Sequence, residues 1–106
     1  MPRINHVVLL RVRRDVDAAP LLSALAELRD EIPGLLSFTG GPYASPEGLH
    51  RGYTHAFVMV FASAEARDAY LPHPAHERVK ADVLAALDEA GPLPAVVAFD
   101  YALPEE

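Results

Sequence analysis

Residues 53–61 read Tyr-Thr-His-Ala-Phe-Val-Met-Val-Phe, and this stretch decides the fold. Aromatic and β-branched residues without an interrupting glycine or proline predict a strand. Successive strand residues point to opposite faces. Tyr53, His55, Phe57, Met59 and Phe61 therefore share one face, and Thr54, Ala56, Val58 and Val60 share the other. Neither face is polar. Residues 4–12, INHVVLLRV, repeat the pattern: Ile4, His6, Val8, Leu10 and Val12 alternate with Asn5, Val7, Leu9 and Arg11. A helix-covered antiparallel sheet normally alternates apolar with polar. A sheet apolar on both faces needs cover on both.

Outward from these strands the elements fall into order. A helix is predicted over about residues 18–32, with Asp17 as its cap and Pro20 in its first turn, where a missing N–H is harmless. Leu21, Leu22, Leu25, Leu28 and Ile32 form its apolar stripe, and Pro33-Gly34 ends it. Residues 35–39 are a short strand broken by Gly40-Gly41-Pro42. Residues 42–52, dense in Pro, Gly and Ser, are a loop of the length expected of a gate over a binding site. Ser63 caps a helix over residues 64–71, which Pro72 stops. His73-Pro74 opens another helix running to about residue 90, where Gly91-Pro92 closes it. Val79, Val83 and Leu87 form its apolar stripe, with His76 on the same side. Residues 95–101 are the last strand.

The order β-α-β-β-α-α-β, with the two later helices taken as one layer, is the split β-α-β, ferredoxin-like plan of the α+β class. It predicts a four-stranded antiparallel sheet with helices on one face. The 106 residues form a single domain, its core about residues 4–101.

Composition excludes several functions. The chain has no cysteine, which removes disulfide scaffolds, zinc ribbons and thiol nucleophiles. Nine basic residues against fifteen acidic leave a formal charge of −6, so nucleic acid is not an expected partner. No apolar run approaches the ~20 residues of a membrane helix. The first residues enter a strand pattern at once, without a leader-like stretch, so a cytoplasmic location is expected. A single lysine among nine basic residues, with abundant alanine and proline, points to a bacterial genome of high G+C.

Val7, Leu9, Thr54, Ala56, Val58 and Val60 make the second sheet face apolar. At ~25 cal/mol per Å2, leaving such a face in water forgoes many kcal/mol. A patch of this kind marks an interface. The expected partner is a second copy of the chain, sheet against sheet, in a two-fold homodimer with a barrel-like core.

Histidine carries the candidate chemistry, because its charge changes near neutral pH. His6 shares a strand face with Val8 and Leu10, and His76 points from a helix toward the sheet. The two imidazoles are expected to converge between the layers, one taking a proton while the other holds a developing enolate oxygen. His55, beside Phe57, is expected in the same pocket, and Tyr70 is a wall with a polar tip. His73 is read as a helix cap and His50 as solvated. A metal at His73-x-x-His76 is the less favoured reading, because capping explains His73 and no carboxylate is placed beside these residues. Neither a metal nor an organic cofactor is expected.

Several segments together resemble a known family. They are Ile4-Asn5-His6-Val7-Val8-Leu9, Ile32-Pro33-Gly34, Glu47-Gly48, Gly52-Tyr53-Thr54-His55-Ala56-Phe57, Asp68-Ala69-Tyr70, His73-Pro74-Ala75-His76 and Phe99-Asp100-Tyr101. They look like the stress-responsive A/B barrel (Dabb) domain of the dimeric α+β barrel superfamily. The resemblance implies a ferredoxin-like protomer and a homodimer. It covers plant stress-induced proteins and a polyketide cyclase, olivetolic acid cyclase. In that cyclase a first-strand histidine and the last histidine of His-Pro-Ala-His have acid–base roles, which the resemblance carries to His6 and His76. The tyrosine before that motif corresponds to Tyr70. The cyclase's first-helix tyrosine falls at Leu25, a departure that argues against an identical substrate.

Two readings stay open. One is a cofactor-free enzyme of cyclase or lyase type acting on a small apolar oxo compound. His6 and His76 would be catalytic there, and Tyr70, His55, Leu25 and Phe57 would bind substrate. The other is a non-catalytic dimeric stress module that binds a small ligand or a protein. In that case Leu25, Phe57 and Leu84 would close the space, or a ligand would sit there without chemistry. Cofactor-free and haem-associated monooxygenases share the superfamily plan but not these histidine motifs.

Overall fold

A computed structural model describes residues 2–104. The elements are β1 (Ile4–Leu10), α1 (Ala19–Glu27), a 3-10 turn (Leu28–Asp30), β2 (Leu35–Pro42), β3 (His55–Phe61), α2 (Ala64–Tyr70), α3 (Pro74–Ala86) and β4 (Val96–Ala102). The four strands form one antiparallel sheet in the order β2-β3-β1-β4, the ferredoxin-like arrangement. No helix among the described residues is long and apolar enough to cross a membrane.

Strand period two sorts β1 and β3 as the alternation predicts. Ile4, His6, Val8 and Leu10 are buried, as are Phe57, Met59 and Phe61. The helices, the 3-10 turn and the bend after it cover this face with Leu25, Leu28, Ile32, Tyr70, Ala75, Val83 and Ala86. The intervening residues Val7, Leu9, Ala56, Val58 and Val60 are only half-buried. Register places Phe99 beside Val7 and Tyr101 beside Asn5 on that open side. Phe99 is 67% exposed, and Asn5 donates its side-chain N–H to the Tyr101 hydroxyl at 2.7 Å.

Caps set most helix starts. The Ser63 hydroxyl accepts from the Ala66 N–H at 3.1 Å. His73 Nδ1 accepts from the Ala75 N–H at 3.0 Å, with Pro74 in the first turn of α3. The start of α1 differs from expectation: Ala18 is the cap residue, and Asp17 accepts from the Ala19 N–H at 3.1 Å one position earlier. The end of α1 also tightens, into the 3-10 turn that buries Leu28.

Two boundaries depart further from the sequence pattern. Gly40-Gly41-Pro42 does not break β2, which runs through to Pro42. Gly40 pairs with Phe57, and a Cβ there would stand 2.9 Å from the Phe57 Cβ. Glycine thus keeps the strand close to an aromatic neighbour, and proline is tolerated because β2 is an edge. Helix α3 stops at Ala86, well before Gly91-Pro92. Leu87 turns extended and bridges Val12, while Arg13 N–H donates to the Ala86 carbonyl at 2.9 Å and Asp88 N–H to the Arg11 carbonyl at 2.8 Å. The Arg11 side chain donates to the carbonyls of Asp88, Ala90 and Leu93 at 2.9, 3.2 and 2.9 Å. The continuation of β1 captures the carbonyls that another turn of helix would have used.

Candidate functional site

The inward face of β1, the buried side of α3 and the last residue of α2 meet around a cavity of about 250 Å3. His6, Leu25, Phe57, Tyr70, His76 and Lys80 line it, with aliphatic residues completing the wall. Its volume is at the small end for a ligand site.

His6 enters from the middle of β1 and is 8% exposed. Its Nδ1 lies 2.6 Å from Asp100 Oδ1, because β1 and β4 pair His6 with Asp100 directly across the ladder. A carboxylate only accepts, so Nδ1 carries the hydrogen and Nε2 of the neutral ring is left as an acceptor. The other carboxylate oxygen accepts from Arg67 of α2 at 2.8 Å. Burial pushes the Asp100 carboxyl up, but the hydrogen bonds from Arg67 and then His6, with their charges, outweigh it and hold it below the usual carboxylate range. Arg67 is raised in turn by its hydrogen bonds to Asp100 and then to Asp68. The result is an Arg67–Asp100–His6 chain ending at the cavity.

His76 arrives from the first turn of α3. Its Nδ1 donates to the Leu71 carbonyl at 2.8 Å, a carbonyl left free where α2 ends. Its Nε2 is therefore the acceptor of the neutral ring as well. Tyr70 stands between the two histidines, its ring centroid 4.2 Å from that of His76 and 6.0 Å from that of His6. Burial pushes the Tyr70 hydroxyl far above its ordinary pKa, so it remains a hydrogen-bond donor.

The structure thus brings His6, His76, Tyr70, Leu25 and Phe57 to one cavity. His55 is a correction: it does not line that cavity. It begins β3, pairs with Leu10 and Pro42, and places its Nδ1 2.7 Å from Thr54 Oγ1. It lines a separate hollow of about 120 Å3 with Leu9, Tyr43, His50 and Tyr53. Its position at the very start of the strand carries it past the site. The gating expectation for residues 42–52 falls for the same reason, since Pro42, Tyr43 and His50 border the second hollow and no residue of the loop borders the first. His50 is exposed but stacked on Tyr43, with ring centroids 3.7 Å apart.

Sequence reasoning placed no carboxylate beside the histidines, and Asp100 overturns that. One signal was available: an aspartate between Phe99 and Tyr101 occupies the opposite strand face from both. Arg67 and Lys80 gave no comparable sign, being charged residues on helices. Among the described residues no group of three or more His, Asp or Glu is placed to hold a metal ion. His73 Nδ1 is engaged in capping α3, while His76 turns toward Leu71 and Tyr70.

Comparison with known proteins agrees with this architecture. The family model for the Stress responsive A/B Barrel Domain matches residues 4–103. The stress-response A/B barrel domain-containing protein HS1 of Arabidopsis thaliana is 34% identical over 101 residues, covering 92% of this chain and 87% of that protein. The crystal structure of At3g17210 from Arabidopsis thaliana superposes with a TM-score of 0.83 at 33% identity, over 97% of this chain and 96% of that one. A dimeric ferredoxin-like protein of unknown function from Jannaschia sp. CCS1 superposes at 0.79 with 25% identity, over 95% and 99% of the two chains. The chain belongs to the stress-responsive A/B barrel domain family.

Proposed function

We propose that this chain acts as a homodimer, paired through its open sheet face, and catalyses cofactor-independent acid–base chemistry of cyclase or lyase type on a small apolar oxo compound. The observation that carries the reading is Tyr70 held between His6 and His76 at the wall of an apolar cavity. The dimeric description of the Jannaschia relative and the apolar open face support the pairing.

Each residue then has a chemical task. His6 Nε2 takes a proton from the carbon next to the substrate carbonyl. The electrons of the broken C–H bond form the enolate, with its charge on oxygen. Asp100, half-buried and fixed by Arg67, stabilises the imidazolium that results, as a carboxylate does behind a histidine base. The Tyr70 hydroxyl donates to the enolate oxygen, and His76 adds an Nε2–H donor only in the form of its ring that has taken up a second proton from solvent. Leu25 and Phe57 shape the apolar wall and exclude water. The enolate carbon then attacks a second carbonyl to close a ring, the C=O π electrons go to oxygen, and the His6 imidazolium returns its proton to that alkoxide; without a second carbonyl the carbon recovers the proton instead.

Deuterium exchange tests this without knowledge of the natural substrate. The α-protons of 2-octanone and similar small ketones are followed by NMR in D2O. The wild-type protein should speed exchange, and His6→Ala and His76→Ala should each slow it about 100-fold or more while staying folded. Exchange left intact in both variants rejects the mechanism. Binding of these ketones without exchange favours the non-catalytic ligand-binding module instead.

A further inference from the structure

We propose that the cavity accepts an amphipathic monocarboxylate, its apolar body inside and its carboxylate at the mouth against the ammonium of Lys80; this rests on the reading that the cavity is the ligand site. Lys80 is the chain's sole lysine and, among the described residues, the one lysine or arginine lining the cavity. Among the described residues no aspartate or glutamate lines it, although acidic residues outnumber basic ones fifteen to nine in the chain. The remaining polar groups are His6, Tyr70 and His76. The lining therefore has an apolar body, a proton-handling cluster and one cation.

Helical geometry fixes their relation. Lys80 follows His76 by four residues, so both lie on one face of α3, about 6 Å apart along its axis. Leu84 continues the face by another turn and is 48% exposed. Exposed Val96 joins it in the lining, while exposed Leu71 lies at the His76 end, where its carbonyl accepts from His76. A ligand whose reacting carbonyl meets Tyr70 and His76 thus extends along this face and presents its outer end to the ammonium.

Two features select a carboxylate over a phosphate group. Arg11, Arg13, Arg67 and Arg78 are each engaged by carbonyls or carboxylates, so no guanidinium fork among them is left for the mouth. Among the described residues Lys80 forms no ion pair. A lone ammonium is a point charge suited to one monoanion, whereas a phosphate dianion is normally gripped by several donors.

Titration calorimetry with octanoate, 1-octanol and inorganic phosphate, on wild-type protein and Lys80→Met, tests the assignment. Octanoate should bind the variant about three- to fivefold more weakly, and 1-octanol should bind both equally. Added salt should weaken octanoate binding to the wild type and leave 1-octanol binding unchanged. Octanoate affinity unaffected by the substitution, or phosphate binding as tightly as octanoate, overturns the proposal. NMR signals of His6, Tyr70 and His76 separate the two levels of failure. If 1-octanol moves them but octanoate gains nothing from Lys80, the assignment of the cation alone is wrong. If neither alcohol nor acid moves them, the reading of the cavity as a ligand site is wrong, and this proposal goes with it.

Discussion

His6 Nδ1 and Asp100 Oδ1 stand 2.6 Å apart because β1 and β4 set the two residues directly opposite each other on the helix-covered side of the sheet. Arg67 closes the arrangement from α2 at 2.8 Å. The pair thus joins the sheet, a helix and the cavity. Replacing Asp100 with alanine strands a buried imidazole N–H and takes the acceptor from Arg67 Nη1, while Arg67 Nε keeps Asp68 at 2.9 Å. Asp100→Ala should cost about 1–3 kcal/mol in urea unfolding. A loss below about 0.3 kcal/mol would mean that water replaces the carboxylate without penalty.

The same carboxylate gives stability a pH dependence of definite sign. Burial raises its pKa, but the hydrogen bonds from Arg67 and His6 overcome this and leave it below the ordinary value. A depressed carboxylate stabilises the fold above the unfolded-state pKa of about 3.9, and that contribution fades as pH falls through the lower folded-state value. Other carboxylates titrate there too, so the informative quantity is the difference between wild type and Asp100→Asn. Thermal melts should show that difference largest near neutral pH and shrinking as the solution is acidified into the carboxylate range. A difference that stays constant with pH contradicts the assignment.

Much of this site was legible in the sequence, for reasons that also explain the misses. Alternation along β1 sends His6 inward with Val8 and Leu10, and helical spacing sends His76 inward with Val83. Both patterns are local, and a local pattern fixes a face. Register is not local. Asp100 meets His6 only because β4 pairs with β1 at one offset among several that keep the same parity. His55 shows the same limit, since its place at the start of β3, opposite Leu10, carries it away from the cavity. The early end of α3 depends on Arg11 and Arg13, more than seventy positions before the carbonyls they hold. No helix-ending signal near residue 86 could have announced it.

Gly34 holds the turn into β2 at φ +83°, and a Cβ there would lie 2.6 Å from the Ala66 side chain. Gly91 has a similar φ of +94° with nothing within 4 Å. The two separate backbone strain from crowding. Gly91→Ala should cost about 1 kcal/mol, the left-handed penalty alone. Gly34→Ala should cost about 2–4 kcal/mol, because a clash adds to it. Chemical denaturation of both variants compares them directly, and equal losses would mean that α2 shifts freely to make room.

The open sheet face yields a test of assembly. Val58 sits on β3 opposite Val7 and Thr39, in the interior of the apolar patch that includes exposed Phe99. If two copies pair there, Val58→Asp buries a charge at the interface with no partner and should weaken dimerisation about 100-fold or more. Sedimentation equilibrium should find dimers of the wild type at micromolar concentration and monomers of the variant. A monomeric wild type rejects the pairing, and a dimeric variant moves it to another face.

Tyr70 offers the sharpest separation of chemistry from packing. Its ring packs 5.0 Å from Phe61 and 4.2 Å from His76, centroid to centroid, and only 1% of the residue is exposed. Among the described residues its hydroxyl makes no hydrogen bond to another side chain or to the backbone, although its oxygen is not among the buried groups left unpartnered. It therefore retains access to the cavity it lines. Tyr70→Phe keeps every ring contact and removes that one donor, so stability should change by less than about 0.5 kcal/mol. If the hydroxyl holds an enolate oxygen, ketone deuterium exchange should fall about 100-fold, mostly in turnover rather than in binding, because the oxygen is a full anion only as the reaction proceeds. Exchange that survives the substitution would leave the tyrosine a wall, and the oxyanion would then depend on His76 alone.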